Sequence, residues 1–162
     1  MRTITDKKYR RYTGKDEYTE TEYLRVRSKY RNIEEDYEKV TTNIRRIYKG
    51  QAIINRLTTE KNNNIARINT IKSRIVDIDT RISEIDALLS NYPASPTFTD
   101  QIEYNRLISE KNKLLSERAS ILNEKTALQA RNSDIDKKIL NLKTQINAIQ
   151  TEIDNLKTKH GW

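Results

Sequence analysis

Along residues 23–47 the apolar side chains fall at Tyr23, Val26, Tyr30, Ile33, Tyr37, Val40, Ile44 and Ile47, with gaps alternating between three and four residues. That alternation is a heptad stripe, two apolar rows on one side of a helix that another helix laid alongside can cover. The stripe continues through Gln51 to Ile54, takes a second gap of three to Leu57, then runs Lys61, Asn64, Ile68, Ile71, Ile75, Ile78, Ile82, Ile85 and Leu89. Two consecutive gaps of three amount to a stammer, so this pattern predicts an overwound stretch, a bend or an interruption near Gly50 and the Asn62, Asn63, Asn64 run.

The predicted first helix covers residues 19–90. Its start carries agreeing signals: Thr19 and Glu22 have the spacing of a capping box, and Tyr18 and Tyr23 that of a hydrophobic staple. Glu20 and Glu22 suit the positive end of the helix dipole. Both prolines of the chain, Pro93 and Pro96, lie in the next stretch; proline removes a backbone donor and clashes with the preceding turn, so residues 91–99 form a turn. A second helix over residues 100–160 has Asp100 and Glu103 in its first turn. It repeats the alternation from Tyr104 and Leu107 through Lys111, Leu114, Arg118, Ile121, Lys125, Leu128, Asn132, Ile135, Ile139, Leu142, Ile146, Ile149 and Ile153 to Leu156. Lys157, Lys159 and His160 followed by Gly161 are the residues expected at a helix C-terminus. Some 60 residues at ~1.5 Å each make a helix of roughly 90 Å.

Two stripes of similar length joined by a proline-containing turn imply an all-α, antiparallel coiled-coil hairpin; two rods placed end to end are the alternative. The seam is expected to hold Ile33, Val40, Ile47, Ile68, Ile75 and Ile82 from the first helix, and Leu114, Ile121, Leu128, Ile139, Ile146 and Ile153 from the second. Isoleucine in both rows favours three or more strands in parallel coils, so a homo-oligomer is expected. Asn64 and Asn132 read as polar register devices near one level, the residue equidistant from a turn at 95 being about 126. Lys111, Arg118 and Lys125 read as seam-edge cations, because Ile108, Leu115 and Leu122 shift the apolar stripe to one side of them.

Composition sharpens this picture. Hydrophobic residues are 35% and charged residues 33% of the 162, with three glycines and two prolines: enough to line two ribbons, too little for a thick core with many turns. With no cysteine there is neither a disulfide framework nor a cysteine-ligated metal, which fits a reducing compartment. No apolar run is long enough to span a membrane, and the first residues lack the apolar core of a signal peptide, so the expected location is cytoplasmic or within a virus particle. Abundant Ile, Asn, Lys and Thr suggest an A/T-rich genome, as in many bacteria, phages and large viruses.

The net charge is +8, and residues 1–15 hold six cations (Arg2, Lys7, Lys8, Arg10, Arg11, Lys15) against Asp6. Residues 1–18 therefore read as a basic arm. Within it Lys7, Lys8, Tyr9, Arg10, Arg11 and Tyr12 are the candidate binding element: cations for phosphates and rings for bases, or the same groups for an acidic protein surface, with a solvated tail as the inert reading. Tyrosine is concentrated in the front third, where a docking zone or simple packing would use it. Catalytic chemistry has little to build on. His160 is the lone histidine and its place in the last turn is explained by helix capping; there is no phosphate-cradling glycine loop and no HExxH. Glu34, Glu35, Asp36 and Glu38 read as a solvated face, with Glu35 and Lys39, Asp77 and Arg81, and Asp134 and Lys138 as ordinary i,i+4 pairs. No metal or cofactor is expected. The leading expectation is a non-enzymatic structural or assembly protein that spans or cross-links proteins of a larger complex, such as a minor capsid, tail or scaffolding part of a virion. A nucleic-acid-associated protein using the arm and a helical tether or fusion-type bundle are the alternatives.

Overall fold

The structure, a computed structural model, describes residues 2–162; the first residue of the arm, Met1, lies outside the described residues. In chain order it contains β1 (Thr3–Thr5), a 3-10 turn (Lys7–Tyr9), α1 (Arg10–Thr13), β2 (Glu17–Thr19), α2 (Glu20–Ser90) and α3 (Phe98–His160). The 71-residue α2 and 63-residue α3 pack antiparallel as an all-α helical hairpin. Thr19 caps α2 as expected, its Oγ1 accepting the Glu22 N–H at 3.3 Å. The start of α3 falls two residues earlier than predicted, because Thr97 and Asp100 cap it reciprocally: Thr97 Oγ1 accepts the Asp100 N–H at 3.1 Å, and the Asp100 carboxylate accepts the Thr97 N–H at 3.0 Å.

The paired helices divide into two compact units. One is Asn55–Ile139, and the other joins the chain up to Ile54 with Leu140–Trp162. In Asn55–Ile139, Ile71, Ile78, Ile85 and Ile135 are essentially sealed from solvent. Each such isoleucine contributes about 1.5–3 kcal/mol by leaving water. Asn64 and Asn132 meet inside this seam, the Asn64 Nδ2 donating to the Asn132 Oδ1 at 3.0 Å. Outside the seam runs a series of forked ion pairs at heptad spacing: Arg67 with Glu124, Arg74 with Glu117, Arg81 with Glu110, and Arg131 with Glu60, each with two short N–H to oxygen bonds. The guanidinium bonds hold all four glutamates below the ordinary carboxylate range. Exposed pairs of this kind are screened by water and add little, so isoleucine burial carries the stability and the charges select the register. Lys111 and Arg118 sit at the seam edge as expected and reach Asp86 (2.6 Å) and Asp79 (2.7 Å).

In the second unit the seam departs from the sequence reading by one position. The residues covered on α2 are Asp36, Val40, Asn43, Ile47, Gly50 and Ile54, while Tyr37 and Ile44 stay 39% and 37% exposed. Continued through Leu57, Lys61, Asn64 and Ile68, this row alternates four and three with no second gap of three. The stammer is therefore absent, and α2 runs unbroken past Gly50 and the asparagine run. The cause is chemical: the true row carries a carboxylate, an amide and a glycine, so counting apolar residues selects the neighbouring row instead. Gly50 is there because α3 comes close; a Cβ at this position would lie 3.1 Å from Ile146 Cδ1.

One register serves all observed seam contacts. Asp36 meets His160, Gly50 meets Ile146 and Asn64 meets Asn132, so fourteen residues up α2 always match fourteen down α3. Asn64 thus finds a partner six residues beyond position 126, because the reversal is centred later than residue 95. Of the twelve expected seam residues, Val40, Ile68 and Ile153 are buried; Ile33, Ile47, Ile75, Ile82, Leu114, Ile121, Leu128, Ile139 and Ile146 are half-buried. Two strands leave each ribbon open at its sides, which accounts for the half-buried majority.

The corrected register is testable by thermal unfolding. Ile78→Ala is expected to cost about 2–5 kcal/mol, the range for an emptied core site. Ile44→Ala, although in the stripe read from sequence, should cost less than about 1 kcal/mol. Equal losses would contradict the seam described here.

Candidate functional site

Since Asp36 already faces the last residue of α3, the first four turns of α2 extend beyond any helical partner from the same chain. Their apolar stripe, Tyr23, Val26, Tyr30 and Ile33, still has to be covered. The arm does this. Its strands pair antiparallel, Thr3 with Thr19, Ile4 with Tyr18 and Thr5 with Glu17, and the segment between them folds back onto α2. Asp6 organises the reversal: its carboxylate caps the 3-10 turn through the Lys8 N–H (2.8 Å) and accepts the Tyr23 hydroxyl (2.9 Å). That bond to Asp6 pushes the Tyr23 hydroxyl pKa up. Gly14, at φ +74, ends α1 in the left-handed conformation that glycine adopts without strain and turns the chain into β2. Tyr18 is buried, its hydroxyl within 2.6 Å of both Thr13 Oγ1 and the Lys15 carbonyl, and its ring packs on Tyr23 as the staple predicted.

The six candidate binding residues are divided by this fold. Tyr9 is 2% exposed and packs edge-on against Tyr23. Tyr12 stacks on Tyr30 with centroids 4.6 Å apart, and burial is the main reason its hydroxyl pKa is raised. Arg11 lies 4.0 Å above the Tyr37 ring, and its Nε is 3.9 Å from the Glu34 carboxylate. Tyr9 and Tyr12 face inward, while Arg11 lies over the Tyr37 ring with its side chain exposed. Lys7, Lys8 and Arg10 face solvent, Arg10 with Asp16 at 3.6 Å. A ring that stacks on a nucleobase needs a free face. The burial of Tyr9 and the Tyr30 contact of Tyr12 occupy those faces, so the arm offers cations without stacking platforms.

A second cluster, not found from sequence, joins the end of α3 to α2. Gly161 at φ +68 closes α3 with the Trp162 N–H bonded to the Lys157 carbonyl (2.9 Å) and the Gly161 N–H to the Thr158 carbonyl (3.4 Å), the Schellman arrangement. Trp162 then stacks on His160 (4.5 Å) and meets Tyr37 edge-on (5.8 Å). Asp36 receives both His160 Nε2 (2.7 Å) and Lys159 Nζ (3.0 Å). Glu34 and Asp36 are buried, against the expectation of a solvated face, and Asn43 is buried beside them. Glu35 bonds Arg31 rather than Lys39, and Arg81 bonds Glu110 and Glu84 rather than Asp77. The bond from His160, then that from Lys159, lowers the Asp36 pKa. Seven-residue spacing from Asn43 and Gly50 was the available signal for Asp36; it is visible only once polar residues are allowed in a seam.

Among the described residues no group of three His, Cys, Asp or Glu side chains is placed to hold a metal ion, and no helix is long and apolar enough to cross a membrane. Comparison with family models, curated proteins and solved structures returns no match. The structural class is thus set by the chain's own geometry: a two-helix hairpin whose overhanging helix is covered by a folded basic arm.

Because Asp36 is held low in the folded chain, its contribution to stability is complete above the unfolded carboxylate value of about 4 and disappears as pH falls through the lowered folded value. Melting temperature measured across that acid range should fall more steeply for the parent chain than for Asp36→Asn. Parallel curves would show that the Asp36 cluster does not contribute.

Proposed function

We propose that this chain is a non-enzymatic structural or assembly protein, a helical hairpin that spans or cross-links protein components of a larger complex. The supporting observation is the register itself. Paired seam contacts recur from Asp36 and His160 to Asn64 and Asn132, and forked ion pairs follow at each heptad to Arg81 and Glu110. A hairpin with such regular pairing converts residue count into a fixed helix length, which is what a spacer needs. The chain works in this reading as a homo-oligomer, because two strands leave Ile75, Ile82, Leu114 and Ile121 half-buried and further strands would cover them. Its A/T-type composition makes a phage or large-virus particle the first assembly to examine.

Deleting residues 72–78 together with 118–124 removes one matched heptad from each helix, keeps the four-three alternation and shortens each by ~10 Å. The shortened hairpin should keep its helical circular dichroism and homo-oligomeric mass while losing co-sedimentation with the large assembly that carries the parent chain. Full co-sedimentation of the shortened form, or parent protein found free of any assembly, would overturn the spacer role.

A further inference from the structure

The turn of the hairpin carries an apolar surface that the fold does not use. Phe98, the only phenylalanine of the chain, is 80% exposed in the first turn of α3. Ile102 follows one turn later on the same face, and Leu88 near the end of α2 is also exposed. The same turn also carries an open groove of about 570 Å³ whose lining includes Leu89, Tyr92, Pro93, Pro96 and Tyr104. Packing does not require Phe98 outside, since Thr97 and Asp100 cap the helix without it. Exposed apolar patches bordered by charge mark interaction surfaces.

The charge around this turn is mainly negative, with Arg106 the first cation after it on α3. Residues 82–105 contain Glu84, Asp86, Asp100 and Glu103 and no lysine or arginine, although the whole chain is +8. Arg81 and Lys111 neutralise Glu84 and Asp86 from outside the segment; Asp100 and Glu103 make no ion pair among the described residues. A partner for this surface has to be cationic and to offer an apolar contact.

The arm-covered start of α2 has that chemistry. Residues 2–31 hold ten cations and five carboxylates. Lys7, Lys8 and Arg27 are exposed and form no ion pair among the described residues, whereas the cations of Asn55–Ile139 include the forked pairs already described. Arg27 lies one turn of α2 after Tyr23, and Tyr23 bonds the same Asp6 that caps the Lys7–Tyr9 turn. Leu24, 59% exposed, lies three residues before Arg27 on the same side of α2. We infer that the turn of one copy, through Phe98, Ile102 and Glu103, docks on Lys7, Lys8, Leu24 and Arg27 of a second copy. Two different surfaces meeting this way make a heterologous contact that leaves one of each free on every pair, so association continues by addition of copies. This inference rests on complementary charge and apolar exposure, and it stands apart from the spacer role.

Sedimentation of the full chain tests it. At about 50 mM salt the weight-average mass should rise about twofold or more with concentration, and at about 500 mM it should return to the base oligomer, since exposed charges are then screened within a few ångströms. Lys7→Glu with Lys8→Glu should remove the growth, as should Phe98→Ser with Glu103→Lys, each with a melting temperature matching the parent's; all four side chains are exposed. Because the chain lacks cysteine, a mixture of Lys8→Cys and Phe98→Cys copies should oxidise chiefly to the mixed pair. Constant mass at low salt, growth that survives both sets of variants, or only like-with-like disulfides would overturn the proposal. So would tight, salt-sensitive binding of duplex DNA at Lys7 and Lys8 without any self-association. Loss of the spacer role in the heptad deletion would leave these readouts unchanged.

Discussion

A pair of helices can cover each other's apolar ribbon from one side only, and every other feature of this molecule follows from that constraint. With so narrow a seam, a shift by one residue would move its isoleucines to the edge. The register must therefore be specified. The Asn64–Asn132 bond does so inside the seam, where any other alignment would leave an amide without a partner. The arginine–glutamate forks do so outside it, repeating at the heptad interval.

The same constraint explains the folded arm. Where α3 stops, the ribbon on α2 continues for four turns, and leaving Tyr23 and Tyr30 in water would expose two large aromatic faces. Tyr9, Tyr12 and Tyr18 supply the missing cover with rings instead of a helix. This closure binds both chain ends to one segment: Arg11 from the arm and Trp162 from the tail both contact Tyr37. Burial of Asp36 and Glu34 belongs to the same arrangement, since basic groups from α3 and the arm come within reach of them.

Most of the fold was legible in the sequence, for a definite physical reason. Heptad spacing is a local pattern, and prolines and caps punctuate it, so the two helices, the turn and the Asn64–Asn132 pairing could be anticipated. The error over residues 36–51 arose because Tyr37 and Ile44 imitate a seam row while Asp36, Asn43 and Gly50 occupy it. Hydrophobicity does not report a carboxylate buried because a histidine and a lysine 124 and 123 residues away come to meet it. The arm was hidden for a related reason: its stability comes from ring contacts across sequence gaps of up to 18 residues, which no periodicity records. Which of its six candidate residues turn inward depends on tertiary packing alone.

Gly50 and Ile146 illustrate how one close approach ties distant positions together. An alanine at 50 would gain about 1 kcal/mol of helix propensity over glycine. Its methyl group would also press on Ile146 Cδ1, whose flexible end has to swing aside. Which term wins depends on how far the residue at 146 can give; a valine there would remove Cδ1 but keep Cγ1, 3.3 Å from the added carbon, and so would ease the exchange at 50 without freeing it. Sequence drift at these two sites, almost a hundred residues apart, is coupled, and neither can be optimised alone.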